Sequence, residues 1–87
     1  MLSDDDCEML CKAVSRILKE ERERQGLSKN ALSEQSGVSR SALLKIEEGD
    51  RSPTIDTLFR LSNALKVEPS ELLERAVVLA SNLRFGG

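Results

Sequence analysis

Between Gly26 and Leu73 the chain sets short apolar-faced runs so close to helix stop signals that only short helices joined by tight turns satisfy both. Ser28 precedes a run with Ala31 and Leu32 on one side, and Gly37 follows it. That describes an N-capped helix of about two turns, ended by a residue that accepts positive φ. Ser39 can cap a second run at once. In it Leu43, Ile46 and Glu47 share one face at i, i+3, i+4 spacing, and Gly49 stops it with Pro53 just beyond. The spacing predicts helices over about 29–36 and 40–48.

Two helices this short, meeting around a glycine, fit a helix-turn-helix. The stretch resembles the lambda-repressor-like helix-turn-helix domains, or XRE family. Their pattern runs from Gly-Leu-Ser/Thr through a Gly-Val-Ser turn and an Ile-Glu-x-Gly helix end to a Pro-x-x-x-x-Leu helix and a Leu-x-Val bend. The corresponding pieces are Gly26-Leu27-Ser28, Gly37-Val38-Ser39, Ile46-Glu47-Glu48-Gly49, Pro53 to Leu58, and Leu65-Lys66-Val67. The match covers about residues 14–73 of a single domain spanning 1–87, with helical extensions over 1–13 and 74–87. The resemblance implies an all-α, five-helix fold and a double-stranded DNA operator as ligand.

The flanking helices follow from the same signals. Helix 1 begins after Ser3, with Asp6 as its capping-box partner, and ends near Gln25 with Gly26 as a left-handed cap. Its apolar stripe reads Cys7, Leu10, Cys11, Val14, Ile17 and Leu18. Helix 4 starts at the cap Thr54 and is expected to bury Ile55, Leu58, Leu61 and Leu65. Helix 5 carries Pro69 in its first turn and runs to about Leu83.

Composition narrows the chemistry. The chain has no histidine, tyrosine or tryptophan, so no Ser-His or Cys-His pair can form, and an enzyme is not expected. Cys7 and Cys11 without a histidine make an incomplete zinc site, so no metal or other cofactor is expected. They read instead as small buried hydrophobes in a reducing cytoplasm. No run is long and apolar enough for a membrane span, and the acidic start differs from a signal peptide, so a cytoplasmic protein with no membrane partner is expected. The net charge of -2 disfavours phosphate binding, yet Asp4, Asp5, Asp6 and Glu8 carry four negatives at one end. The rest sets 13 Lys and Arg against 11 Asp and Glu, a balance of +2.

With Leu43, Ile46 and Glu47 turned inward, Arg40, Ser41, Leu44 and Lys45 face out beside Glu48 and are the candidates for base contacts in a major groove. The resemblance places base contacts at Arg40, Ser41 and Lys45. Phosphate contacts are expected from Ser28, Lys29, Ser39, Arg51 and Ser52. Arg22 and Glu47 fall on buried faces, and the resemblance implies that they form a structural ion pair. Three departures from the family pattern are expected to weaken packing or binding: Ser36 and Glu21 in place of aliphatic residues, and Glu48 with Asp50 beside the phosphate-facing loop. Lys29 stands where the family commonly has glutamine.

The apolar residues of helix 5 outnumber those a small domain needs to cover. A homodimer contact through Val78, Leu79, Leu83 and Phe85 is therefore expected. The function so read is a sequence-specific transcriptional regulator binding DNA as a dimer. The alternative is an antitoxin-like protein-binding module that also binds DNA but whose chief partner is another protein.

Overall fold

The computed structural model describes residues 2–84. It holds α1 (Asp4–Arg24), α2 (Lys29–Ser36), α3 (Arg40–Glu47), α4 (Ile55–Leu65) and α5 (Pro69–Arg84), with no strand among the described residues.

Each helix end has a chemical cause. Ser3 Oγ accepts from the Asp6 amide at 3.1 Å, and the Asp6 carboxylate accepts from the Ser3 amide at 3.0 Å, a reciprocal capping box. The hydroxyls of Ser28, Ser39 and Thr54 accept from the amides of Ala31, Ala42 and Thr57. At the other ends of α1 and α3, Gly26 and Gly49 turn left-handed. The amides of Leu27 and Asp50 then reach back to the carbonyls of Arg22 and Lys45. α4 closes in the same way on Lys66, a non-glycine residue at φ 59°.

α1 packs along α5 and crosses α3, while α2 is seated between α3 and α4. Leu18, Leu32, Leu43, Ile46, Leu61, Leu65 and Leu72 are fully buried where these helices meet. Met9, Leu10, Val14 and Leu79 pack at the edge of that core.

Two expectations about burial fail. Cys7 and Cys11 are both exposed. They do lie in line with Leu18 and Arg22 around α1, but before Ser15 that line faces an open cleft whose far wall is the loop Gly49, Asp50, Arg51 and Ser52. Ile55 is 67 % exposed, on the outer side of α4; the inner line is Leu58, Leu61, Ser62 and Leu65.

Candidate nucleic-acid interface

The orientation of α3 is set from behind by one ion pair. Arg22 Nε donates to Glu47 Oε2 at 2.8 Å and Nη2 donates to Oε1 at 2.9 Å, a bidentate fork. The remaining guanidinium nitrogen donates to the Leu27 carbonyl at 2.8 Å, so one buried side chain ties α3 to α1 and to the turn before α2. Donating to the Glu47 carboxylate raises the Arg22 pKa above its ordinary value. This pair does not face outward. It fixes where the outward face points.

A second buried charge lies one residue earlier. The Glu21 side chain is 1 % exposed and is satisfied by Arg24, by Gln25 Nε2 at 2.8 Å and by Arg75 Nη1 at 2.8 Å. Burial alone would raise its pKa, but these hydrogen bonds outweigh burial and hold it down at about 2. Gln25 also donates to the Leu65 carbonyl at 2.7 Å, so the cluster joins α1 to α5 and to the end of α4. The expected packing defect at Glu21 is thus replaced by a polar clamp. Its partners Gln25 and Arg75 escape a sequence reading, although Glu21 itself follows Ile17 and Leu18 at helical spacing.

The turn between α2 and α3 is held by serines. Ser33 Oγ donates to the Val38 carbonyl at 2.6 Å, and Ser36 Oγ accepts from the Val38 amide at 3.1 Å. Both polar groups of a buried residue are thereby paired, and Ser36 does chemically what an aliphatic residue would do by packing. Gly37 sits at φ 76°, where a side chain is strained whatever the space around it.

From this frame Arg40, Ser41, Leu44, Lys45 and Glu48 all project from α3 into solvent. Ser28, Ser39, Arg51 and Ser52 are exposed around them, and Lys29 is half-buried. The cations divide sharply. Lys12, Arg16, Arg22, Arg24, Arg60 and Arg75 are committed to ion pairs, whereas Lys29, Arg40, Lys45 and Arg51 form none among the described residues. Lys19 and Lys66 are the other described cations without one. Four uncommitted positive charges therefore lie on α2, on α3 and in the loop after α3, alongside the carboxylates of Glu48 and Asp50.

The residues expected at a dimer contact do not share one face. Leu79 is half-buried against the core, while Val78 and Leu83 are exposed but about 140° apart around α5 by helical geometry. Phe85 lies outside the described residues. Ile55 and Phe59, one turn apart on α4, are 67 % and 54 % exposed and form a surface that sequence periodicity had assigned in part to the core.

Five helices with a capped pair presenting its second member outward define the lambda-repressor-like class of helix-turn-helix fold. The helix-turn-helix family pattern (HTH_3) matches residues 18–72, and the chain belongs to that family. It is similar to the HTH-type transcriptional regulator SlrR of Bacillus subtilis, 36 % identical over 74 residues that make up 84 % of this chain and 49 % of SlrR. It is also similar to the HTH-type transcriptional regulator SutR of Escherichia coli, 38 % identical over 60 residues, 69 % of this chain and 34 % of SutR. The chain thus spans half or less of the length of these curated relatives. Among solved structures, the restriction-modification controller protein C.AhdI of Aeromonas hydrophila aligns with TM-score 0.67 and 36 % identity over 72 % of this chain and 94 % of its own. The clp gene regulator ClgR of Corynebacterium glutamicum reaches TM-score 0.83 over 88 % of this chain and 82 % of its own; at 23 % identity this likeness is one of fold.

Proposed function

We propose that this chain is a sequence-specific DNA-binding transcriptional regulator that lays α3 in the major groove and binds its operator as a homodimer. The observation that carries the reading is the separation of cations. Ion pairs hold Lys12, Arg16, Arg22 and Arg24 of α1, Arg60 of α4 and Arg75 of α5, while Lys29, Arg40, Lys45 and Arg51, on and beside α3, form none among the described residues. Arg40 and Lys45 suit donation to guanine edges, Ser41 fits either donor or acceptor edges, and Leu44 suits a thymine methyl. Ser28, Lys29, Ser39, Arg51 and Ser52 ring that helix as phosphate contacts, with the amides at the starts of α2 and α3 adding partial positive charge.

The family is one of regulators and not of enzymes. Among the described residues no helix is long and apolar enough to cross a membrane. The cytoplasm is the compartment that suits operator binding. A dimer compensates for a weak net charge, since two recognition helices about 34 Å apart on half-sites one turn apart combine two modest affinities. We place the two-fold contact on the Ile55 and Phe59 pair of α4 in preference to the divided α5 set. The antitoxin-like alternative keeps one supporting observation, the exposed Leu2, Val77 and Leu83 near the chain ends. Co-purification with a small basic protein would favour it.

Selection of bound sequences from a random DNA pool tests the leading reading. An enriched motif is expected, and recovery of none at low salt overturns it. Arg40→Ala should then cost about 1 to 3 kcal/mol and relax preference at one position, whereas Arg51→Ala should weaken all sequences alike and flatten the salt dependence. An Arg40→Ala loss with unchanged preference would reduce that residue to a phosphate contact.

A further inference from the structure

Cys7 and Cys11 stand four residues apart on α1, and both are exposed. Side chains at that spacing are neighbours, with Cβ atoms about 5 to 6 Å apart. Two thiolates bound in line to one soft ion lie about 4.6 Å apart, twice a metal–sulfur bond of about 2.3 Å, and cysteine rotamers can close that difference. Both thiols open onto a cleft of about 250 Å³ shared with Glu8, Lys12, Ser15 and the loop Gly49 to Ser52. The chain contains no histidine, and no group of three or more cysteine, aspartate or glutamate side chains is placed for a metal among the described residues. A four-coordinate zinc site is therefore absent from the described residues. What the geometry does offer is two neighbouring sulfurs, with the Glu8 carboxylate at the cleft taken up by Lys12, which suits a thiophilic ion content with two ligands.

We propose that Cys7 and Cys11 form a two-thiolate site for a monovalent soft cation of the copper group, and that filling it weakens DNA binding. The first half rests only on the cysteines. The second rests on the DNA-binding reading above. Binding replaces two S–H bonds by two S–metal bonds, releases two protons and changes no oxidation state. Two neutral thiols plus a cation of charge +1, less two protons, leave a complex of net charge -1. That charge is created across the cleft from Arg51, the proposed phosphate contact, and so on the side where it repels DNA.

The experiment uses Ag(I) as a redox-stable probe in chloride-free buffer, with proton release and binding followed calorimetrically. One ion per chain with two protons released is expected, along with rapid native labelling of both thiols by an aromatic disulfide. The affinity should fall sharply in Cys7→Ser, in Cys11→Ser and in the double variant; exposed serines leave the core untouched. Equal binding by the double variant, or two independent ions per chain, overturns the site. Phenylarsine oxide, which joins two thiols with loss of water, is the second arm: because it leaves no net charge, it should occupy the pair with little change in DNA affinity. Silver should lower operator affinity a few-fold in the parent protein and not in the double variant. Silver binding with unchanged DNA affinity overturns the coupling alone, and failure of the apo protein to bind any DNA counts against the functional reading while the calorimetry still decides the site.

Discussion

Two buried carboxylates one helix apart carry different loads. Glu47 is paired with Arg22, which is itself buried, so Glu47→Ala leaves a buried guanidinium with only the Leu27 carbonyl and the peripheral Glu23 carboxylate, and should cost about 3 to 5 kcal/mol in urea unfolding. Glu21 is held by Arg24 and Arg75, of which the first is largely in water. Glu21→Leu restores the family's aliphatic residue and lets both arginines solvate, so its cost should be near zero or negative; a loss above about 2 kcal/mol would show that the clamp, not the volume, holds α1 to α5. The same carboxylate sets an acid limit. Its folded pKa of about 2 lies below the ordinary 4.5, so its contribution is complete above pH 4.5 and is lost as the pH falls towards 2. That contribution is at most about 3 kcal/mol, reduced by solvent around Arg24. Acid titration of unfolding should therefore flatten between pH 4.5 and 2 in Glu21→Leu relative to the parent.

The helices were legible in the sequence because their ends are chemical events written in single residues. Ser3, Ser28, Ser39 and Thr54 cap as their identities dictate, and Gly26, Gly37 and Gly49 turn left-handed where a stop was read. Replacing Gly37 by alanine should cost about 1 to 2 kcal/mol through the backbone alone, because the nearest atom to an added Cβ, Arg60 Nη1 at 3.5 Å, is an ordinary contact. The reverse change is expected at Lys66, which adopts the same conformation with a side chain: Lys66→Gly should stabilise by up to about 1 kcal/mol, offset in part by the freer unfolded chain. Thermal melting of both variants checks the pair. What escaped the sequence is what one helix cannot know of another. Helical spacing puts Cys7 and Cys11 in line with buried residues further along α1, yet both are exposed, since nothing in α1 says that the opposing wall is an open loop. Ile55 has the spacing of a core residue and is nevertheless exposed. The pairing of Glu21 with Arg75 joins residues 54 apart in the chain, beyond any periodicity.

At the scale of the whole molecule, charge and shape give the proposed regulator opposite instructions. Its formal charge of -2 opposes approach to DNA, and the four uncommitted cations around α3 can neutralise only a few phosphates. A single copy should accordingly bind weakly and lose affinity steeply with salt. A two-fold pair doubles those contacts, provided that the surface joining the copies leaves both α3 faces outward. Ile55 and Phe59 lie in the first half of the helix that follows the Arg51 loop, so a contact there sets the two α3 helices by its own geometry. Sedimentation at micromolar concentration should give twice the chain mass of 9.6 kDa. Phe59→Glu should return the mass to that of one chain and lower operator affinity without unfolding, since Phe59 is 54 % exposed. Val78→Glu, on the outer side of α5, should leave the dimer intact. The opposite pattern would move the contact to α5, and a persistent single-chain mass in the parent protein, with operator binding retained, would remove the dimer altogether.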